Sequence, residues 1–159
     1  MLILEAEDHE QQERLGAVLA QTCQHACILY LEGDLGTGKT TLVRGFLRGL
    51  GYQGKVRSPT YTLLEPYEFG GRSIYHLDLY RLAHPEELEY LGLRDLLQTD
   101  AVLLIEWPDR GEGVLPAADL QVAIQYQTKG RRLELIANTG KGSEVLHDLA
   151  QTLGSKVNQ

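Results

Sequence analysis

The chain has 159 residues, 43% of them hydrophobic and 23% charged, enough for one domain (residues 1–159) with a sizeable core. A formal net charge of −7 repels phosphate backbones and argues against binding nucleic acid unaided. There is no apolar stretch of membrane-spanning length, no secretory pattern in MLILEAEDHE and no disulfide framework in two cysteines, which together predict a cytoplasmic protein with no membrane partner.

Leu2 to Glu5 reads as a short strand. Asp8 is the expected N-cap of a first helix, with Glu10 and Gln11 in the opening turn and Leu15, Val18, Leu19 and Thr22 facing inward. Cys23, His25 and Cys27 crowd its end. Zinc would need a second pair of ligands at similar spacing, so buried thiols beside a surface histidine are the favoured reading. Ala26 to Leu31 is an unbroken apolar run and predicts a buried strand. It leads into Gly33 to Thr41, GDLGTGKTT, in which Gly33, Gly38, Lys39 and Thr40 fit G-x-x-x-x-G-K-[ST]. Leu42, Val43, Phe46, Leu47 and Leu50 then recur at helical spacing, and Gly51 is the stop.

Strand, glycine loop and helix in that order are the context of a phosphate-binding loop. Its glycines let backbone N–H groups close around phosphates, and the following helix aims its positive end at the same place. Gly33, Asp34, Leu35, Gly36, Thr37, Gly38, Lys39, Thr40 and Thr41 are therefore the predicted nucleotide contacts. Lys39 would reach the β- and γ-phosphates, and the Thr40 hydroxyl would ligate Mg²⁺.

Arg44, Arg48, Lys55 and Arg57 form the most basic stretch, read as a solvated face, with a docking patch for an acidic partner as the other reading. Ser58-Pro-Thr-Tyr-Thr62 carries four hydroxyls in five residues. Two readings weigh equally: a loop that senses the γ-phosphate and Mg²⁺, or a turn whose Ser58 and Thr60 bond locally. Tyr61 to Phe69 and Ser73 to Tyr80 read as a hairpin around Gly70-Gly71-Arg72. His76, Asp78 and Tyr80 share one face of its second strand, as a site or an exposed edge would require. His84-Pro85 opens a helix running to about Leu97, with a break near Gly92 and with Leu88, Leu91, Leu96 and Leu97 packing. Ala101 to Trp107 is a second buried strand ending in Glu106, an acid where a phosphate loop needs one beside its metal. Trp107 either stacks near the nucleotide or caps the core, and Asp109 and Arg110 in the loop to Pro116 are further candidates. Leu120 to Tyr126 and Arg132 to Ala137 form a second hairpin. Ser143 is the expected N-cap of a last helix, with Val145, Leu146, Leu149 and Leu153 inward and Gly154 at its end, the final five residues being loose.

The guanine-reading Asn-Lys-x-Asp tetrad is absent, so ATP is the expected nucleotide. Two classes stay open: a small kinase acting on a metabolite, and an accessory protein whose ATP cycle drives partners. Few, scattered arginines favour the second.

GDLGTGKTT, SPTYTL, HLDLYRL and LIEWPDR, in that order and at these separations, resemble the TsaE (formerly YjeE) proteins of bacteria from the first helix to about residue 137. The phosphate loop alone is shared by many proteins, and the other three segments make the likeness specific. The resemblance implies an α/β fold: a single three-layer P-loop NTPase domain whose central sheet is mainly parallel, with antiparallel hairpin strands. It implies weak Mg²⁺-dependent hydrolysis of ATP to ADP, and a role with TsaB–TsaD in forming threonylcarbamoyladenosine beside the tRNA anticodon. Tied to those motifs, it implies Thr40, Glu106 and Asp78 as metal-site residues, with Asp78, Glu106 and Lys39 serving turnover. Ser58 and Thr60 match a switch-like loop, and Trp107 matches a tryptophan beside the nucleotide. Relatives often carry a Thr in the first helix against the adenine end, where this chain has Gln12.

Overall fold

The computed structural model describes residues 1–154. The expectation for the last five residues lies outside them. A strand β1 (Leu2–Ala6) leads to helix α1 (His9–Thr22), capped by Asp8, whose carboxylate accepts the Gln11 N–H at 2.9 Å. Strand β2 (Cys27–Glu32) runs through the glycine loop into helix α2 (Lys39–Gly49). Next come the hairpin β3 (Leu64–Phe69) and β4 (Arg72–Asp78), two single helical turns α3 (Glu87–Tyr90) and α4 (Leu93–Leu97), and β5 (Val102–Glu106). A hairpin β6 (Leu120–Tyr126) and β7 (Arg131–Ala137) precedes the last helix α5 (Gly140–Leu153).

The strands form one sheet of order β1-β7-β6-β2-β5-β4-β3. Its four central strands pair in parallel and its flanks are antiparallel. Alternation decides what each strand faces. Leu29 and Leu31 of β2, Ile74 of β4 and Leu104 of β5 pack with α1, α2 and α5. Leu77 of β4 and Leu103 and Ile105 of β5 point the other way, onto Leu88 and Leu93. The expected three layers are present, but the second outer layer is thin, made of two short turns and the 3₁₀ segment Pro108–Gly111.

Several local expectations are corrected. Tyr61 to Leu63 belong to a turn rather than to the strand, because Leu63 takes a left-handed conformation (φ 67°) and its N–H bonds back to the Pro59 carbonyl at 2.8 Å. The break expected near Gly92 is present and separates α3 from α4, because no helix continues through its φ of 79°. Leu93 is thereby buried in place of Leu97, which is exposed. Ser143 does not cap α5. Thr139 does, accepting the Gly142 N–H at 3.0 Å and donating to Asp119 at 2.7 Å. Asp119 in turn accepts the Ile28 N–H at 2.8 Å, tying the cap to the central strand. Thr139→Ala should cost about 1 kcal/mol, read as a lower urea midpoint, and an unchanged midpoint would mean that water replaces the cap without loss. Cys23 and Cys27 are free and buried, and no cluster of three metal-ligating side chains occurs among the described residues. Arg48 is spent on the carbonyls of Tyr52 and Gly54, which breaks up the basic stretch.

Candidate nucleotide site

The loop between β2 and α2 opens onto a cleft of about 480 Å³. From the loop and helix it is lined by Leu35, Gly36, Gly38, Lys39, Thr40 and Thr41. Gly38 is left-handed (φ 97°), and a Cβ there would meet the Gln12 amide at 2.3 Å, so the loop has this shape only with glycine. Gln12 is buried behind the loop and its Nε2 donates to the carbonyls of Thr37 and Gly38 at 2.9 and 2.8 Å. It thus supports the loop, and it is His9 of the same helix that lines the cleft. Thr37 is also buried, its hydroxyl donating to the Asp34 carbonyl at 2.8 Å. Gly33 and Asp34 turn their carbonyls to the Lys39 ammonium, which lies 4.1 Å from the centre of the Trp107 ring. Burial pulls the Lys39 ammonium below the usual lysine range, against the charges of Glu106, Asp78 and Asp34.

The opposite wall comes from the strand ends. Asp78 and Glu106 are in register on neighbouring parallel strands, and alternation puts both on the α2 side of the sheet. The polar face of β4 is therefore a site wall, since β3 covers that strand on its outer edge. Glu106 is 3% exposed; its carboxylate lies 3.3 Å from the Thr40 hydroxyl and 2.5 Å from His76 Nε2. Asp78 accepts the Tyr80 N–H at 3.0 Å. A hydroxyl and two carboxylates are an all-oxygen donor set, the kind Mg²⁺ takes when phosphates and water complete its shell. The residues therefore fit that ion together with a polyphosphate.

Trp107 has φ 55°, a conformation costly for any residue with a Cβ, and this turn places its ring beneath Lys39. Ser58 and Thr60 line the cleft with their hydroxyls 2.7 Å apart. The local bond that the turn reading requires is therefore present, and it lies at the cleft wall. Asp109 and Arg110 do not line the cleft; the Arg110 guanidinium lies 5.5 Å over Tyr80 instead. Of the polar row expected on β4, Asp78 and Tyr80 line the cleft and His76 stands behind it on Glu106, while Arg81, which the row does not include, also lines the cleft.

Burial holds the Asp78 carboxyl above the usual aspartate range, and Glu106 adds to the rise. A carboxyl raised in the folded state costs stability as the pH climbs from the ordinary aspartate value through the raised one. Asp78→Asn should accordingly unfold at a higher temperature than the wild type at about pH 7 and match it below about pH 3, where both states carry the proton. A mutant less stable at neutral pH would show that the ionised carboxylate is a stabilising group.

A mixed sheet with a parallel centre and a glycine loop between its central strand and a helix, faced by two strand-end carboxylates, defines a P-loop nucleotide-binding domain. The family model for the threonylcarbamoyl adenosine biosynthesis protein TsaE matches residues 6–133, and the chain belongs to the TsaE family. It is 55% identical over 123 residues to the tRNA threonylcarbamoyladenosine biosynthesis protein TsaE of Haemophilus influenzae, covering 77% of this chain and 78% of that one. Its identity to the protein of the same name from Bacillus subtilis is 36% over 137 residues, covering 86% and 85%. The crystal structure of Bacillus subtilis YdiB matches with a TM-score of 0.82 over 95% of both chains, at 29% identity. Among the described residues no helix is long and apolar enough to cross a membrane.

Proposed function

We propose that this protein binds ATP with Mg²⁺, hydrolyses it slowly to ADP, and serves the formation of threonylcarbamoyladenosine beside the tRNA anticodon. It would do so in the cytoplasm with TsaB–TsaD proteins, meeting tRNA only through them. The family match supports the pathway, and the convergence of Thr40, Asp78 and Glu106 on the phosphate loop supports the chemistry. The net charge of −7 supports an indirect role at tRNA.

Each group has a part. The loop N–H groups and the α2 N-terminus bind the phosphates, and Lys39 exchanges the carbonyls of Gly33 and Asp34 for phosphate oxygens. Thr40, Glu106 and Asp78 would hold Mg²⁺, which would neutralise charge on the β- and γ-phosphates. Asp78, in register with Glu106 on the neighbouring strand, serves turnover by positioning the metal or the attacking water. Trp107 fixes Lys39 from below.

The segment from Ser58 to Thr62 is pinned at both ends. Tyr67 holds the Arg57 backbone at 2.9 and 3.2 Å, and the Leu63 carbonyl accepts the Asp78 N–H at 3.0 Å. Between those anchors the loop is held by local bonds that a γ-phosphate would compete with, and a nucleotide-dependent loop would give partners two surfaces to discriminate.

The test is ATP hydrolysis by the purified protein, alone and with TsaB and TsaD, with Asp78→Ala as control. Turnover that rises with the partners and falls in the mutant supports the reading. Turnover indifferent to both would redirect attention to a metabolite kinase, which a screen of small phosphate acceptors would reveal.

A further inference from the structure

Arg81 stands at the mouth of the nucleotide cleft. It follows Asp78-Leu79-Tyr80 past the end of β4 and lines the cleft. Lys39 and Arg81 are the two permanent cations of that lining, and the Lys39 ammonium is engaged by loop carbonyls. Among the described residues Arg81 pairs with no carboxylate, although Asp78 and Glu106 line the same cleft. Its guanidinium rests instead on the ring of Tyr61, 4.6 Å from the centre. Tyr61 is 81% exposed and sits in the middle of the Ser58–Thr62 loop.

An exposed cation–π contact is weak, and a guanidinium–phosphate pair is stronger and bidentate. A cation parked on an aromatic ring beside a phosphate cleft therefore has a better partner once a triphosphate arrives. We propose that Arg81 contacts the terminal phosphate of the bound triphosphate, leaving Tyr61 to do so and thereby changing the position of the Ser58–Thr62 loop. The same side chain then distinguishes ATP from ADP and reports the difference to the loop. This rests on the ATP-binding reading above and adds to it the residue that reads the third phosphate.

The experiment is calorimetric titration with Mg²⁺ and either ADP or a non-hydrolysable ATP analogue. It compares the wild type with Arg81→Ala, Arg81→Lys, Tyr61→Ala and Arg94→Ala, an exposed arginine that pairs with Glu89 among the described residues. Arg81→Ala should weaken the triphosphate roughly tenfold or more, the loss of a charge-assisted contact, and leave ADP unchanged. Arg81→Lys should recover part of the loss, because it keeps the charge without the fork. Tyr61→Ala should tighten the triphosphate alone, because the resting partner is gone, and Arg94→Ala should change neither. Equal weakening of both nucleotides by Arg81→Ala, or no weakening at all, would overturn the proposal while leaving ATP binding intact. A wild type that binds neither nucleotide would overturn both.

Discussion

Glu106→Ala is expected to cut Mg²⁺-dependent ATP turnover by more than the roughly 10- to 100-fold that loss of a supporting residue brings at a metal site, and His76→Ala by about that amount. Glu106 is buried at the end of β5, where water cannot orient it, so its position is set by its bonds. Thr40 supplies one at 3.3 Å and His76 Nε2 the other at 2.5 Å. His76 is itself fully buried, and its Nδ1 has no partner among the described residues. A proton on Nε2, donated to the carboxylate, leaves only a lone pair unsatisfied at Nδ1, the less costly way to orphan one ring nitrogen. Removing the ring leaves a buried carboxylate short of a donor and free to turn from Thr40. His76→Gln, which keeps an N–H in reach, should restore part of the activity. A purely structural role for His76 would lower the melting temperature of both variants without separating their kcat. Normal turnover in Glu106→Ala, at a Mg²⁺ dependence like that of the wild type, would remove Glu106 from the metal site.

What the sequence made legible was whatever has a local cause. The phosphate loop, the Asp8 cap, the buried runs of β2 and β5 and both hairpin turns are written in neighbouring residues and formed where periodicity and turn chemistry put them, the first hairpin with shorter strands than expected. The acids were legible because a strand end beside a phosphate loop constrains what it can carry. The errors have non-local causes. Thr139 displaced Ser143 as a cap because Asp119, 20 residues away, holds its hydroxyl. Leu93 rather than Leu97 fills the core because the chain turns at Gly92, a choice of packing that hydrophobic spacing leaves open. The contact between His76 and Glu106 spans 30 residues and depends on β4 and β5 being parallel neighbours, a pairing no spacing rule announces. Gln12 meets the loop 25 residues on, and only the packing of α1 against α2 places it there.

That packing is what Gly45→Ala should disrupt. In an exposed helix the change to alanine would stabilise by up to about 1 kcal/mol. Here an added Cβ would stand 1.9 Å from the Glu13 carbonyl oxygen and 2.7 Å from its carbon, both backbone atoms of α1 that no rotamer can move. Gly16 and Gly49 make the same close approach on either side, so the two helices cannot slide to a new register without a second clash. The expected cost is about 1–3 kcal/mol or more, read as a lower urea midpoint. Gly140→Ala is the comparison: it lies in the first turn of α5 with nothing within 4 Å of an added Cβ, and it should be neutral or stabilising. The larger consequence is at the site. Any separation of α1 from α2 withdraws the Gln12 amide from Thr37 and Gly38, which sit in the phosphate loop itself. Gly45→Ala and Gln12→Ala should then both weaken ADP binding, and the double mutant should lose less than the sum, because both changes remove the same contact. Additive losses would show that the helix packing and the loop are independent, and that the glycines in this pair serve stability alone.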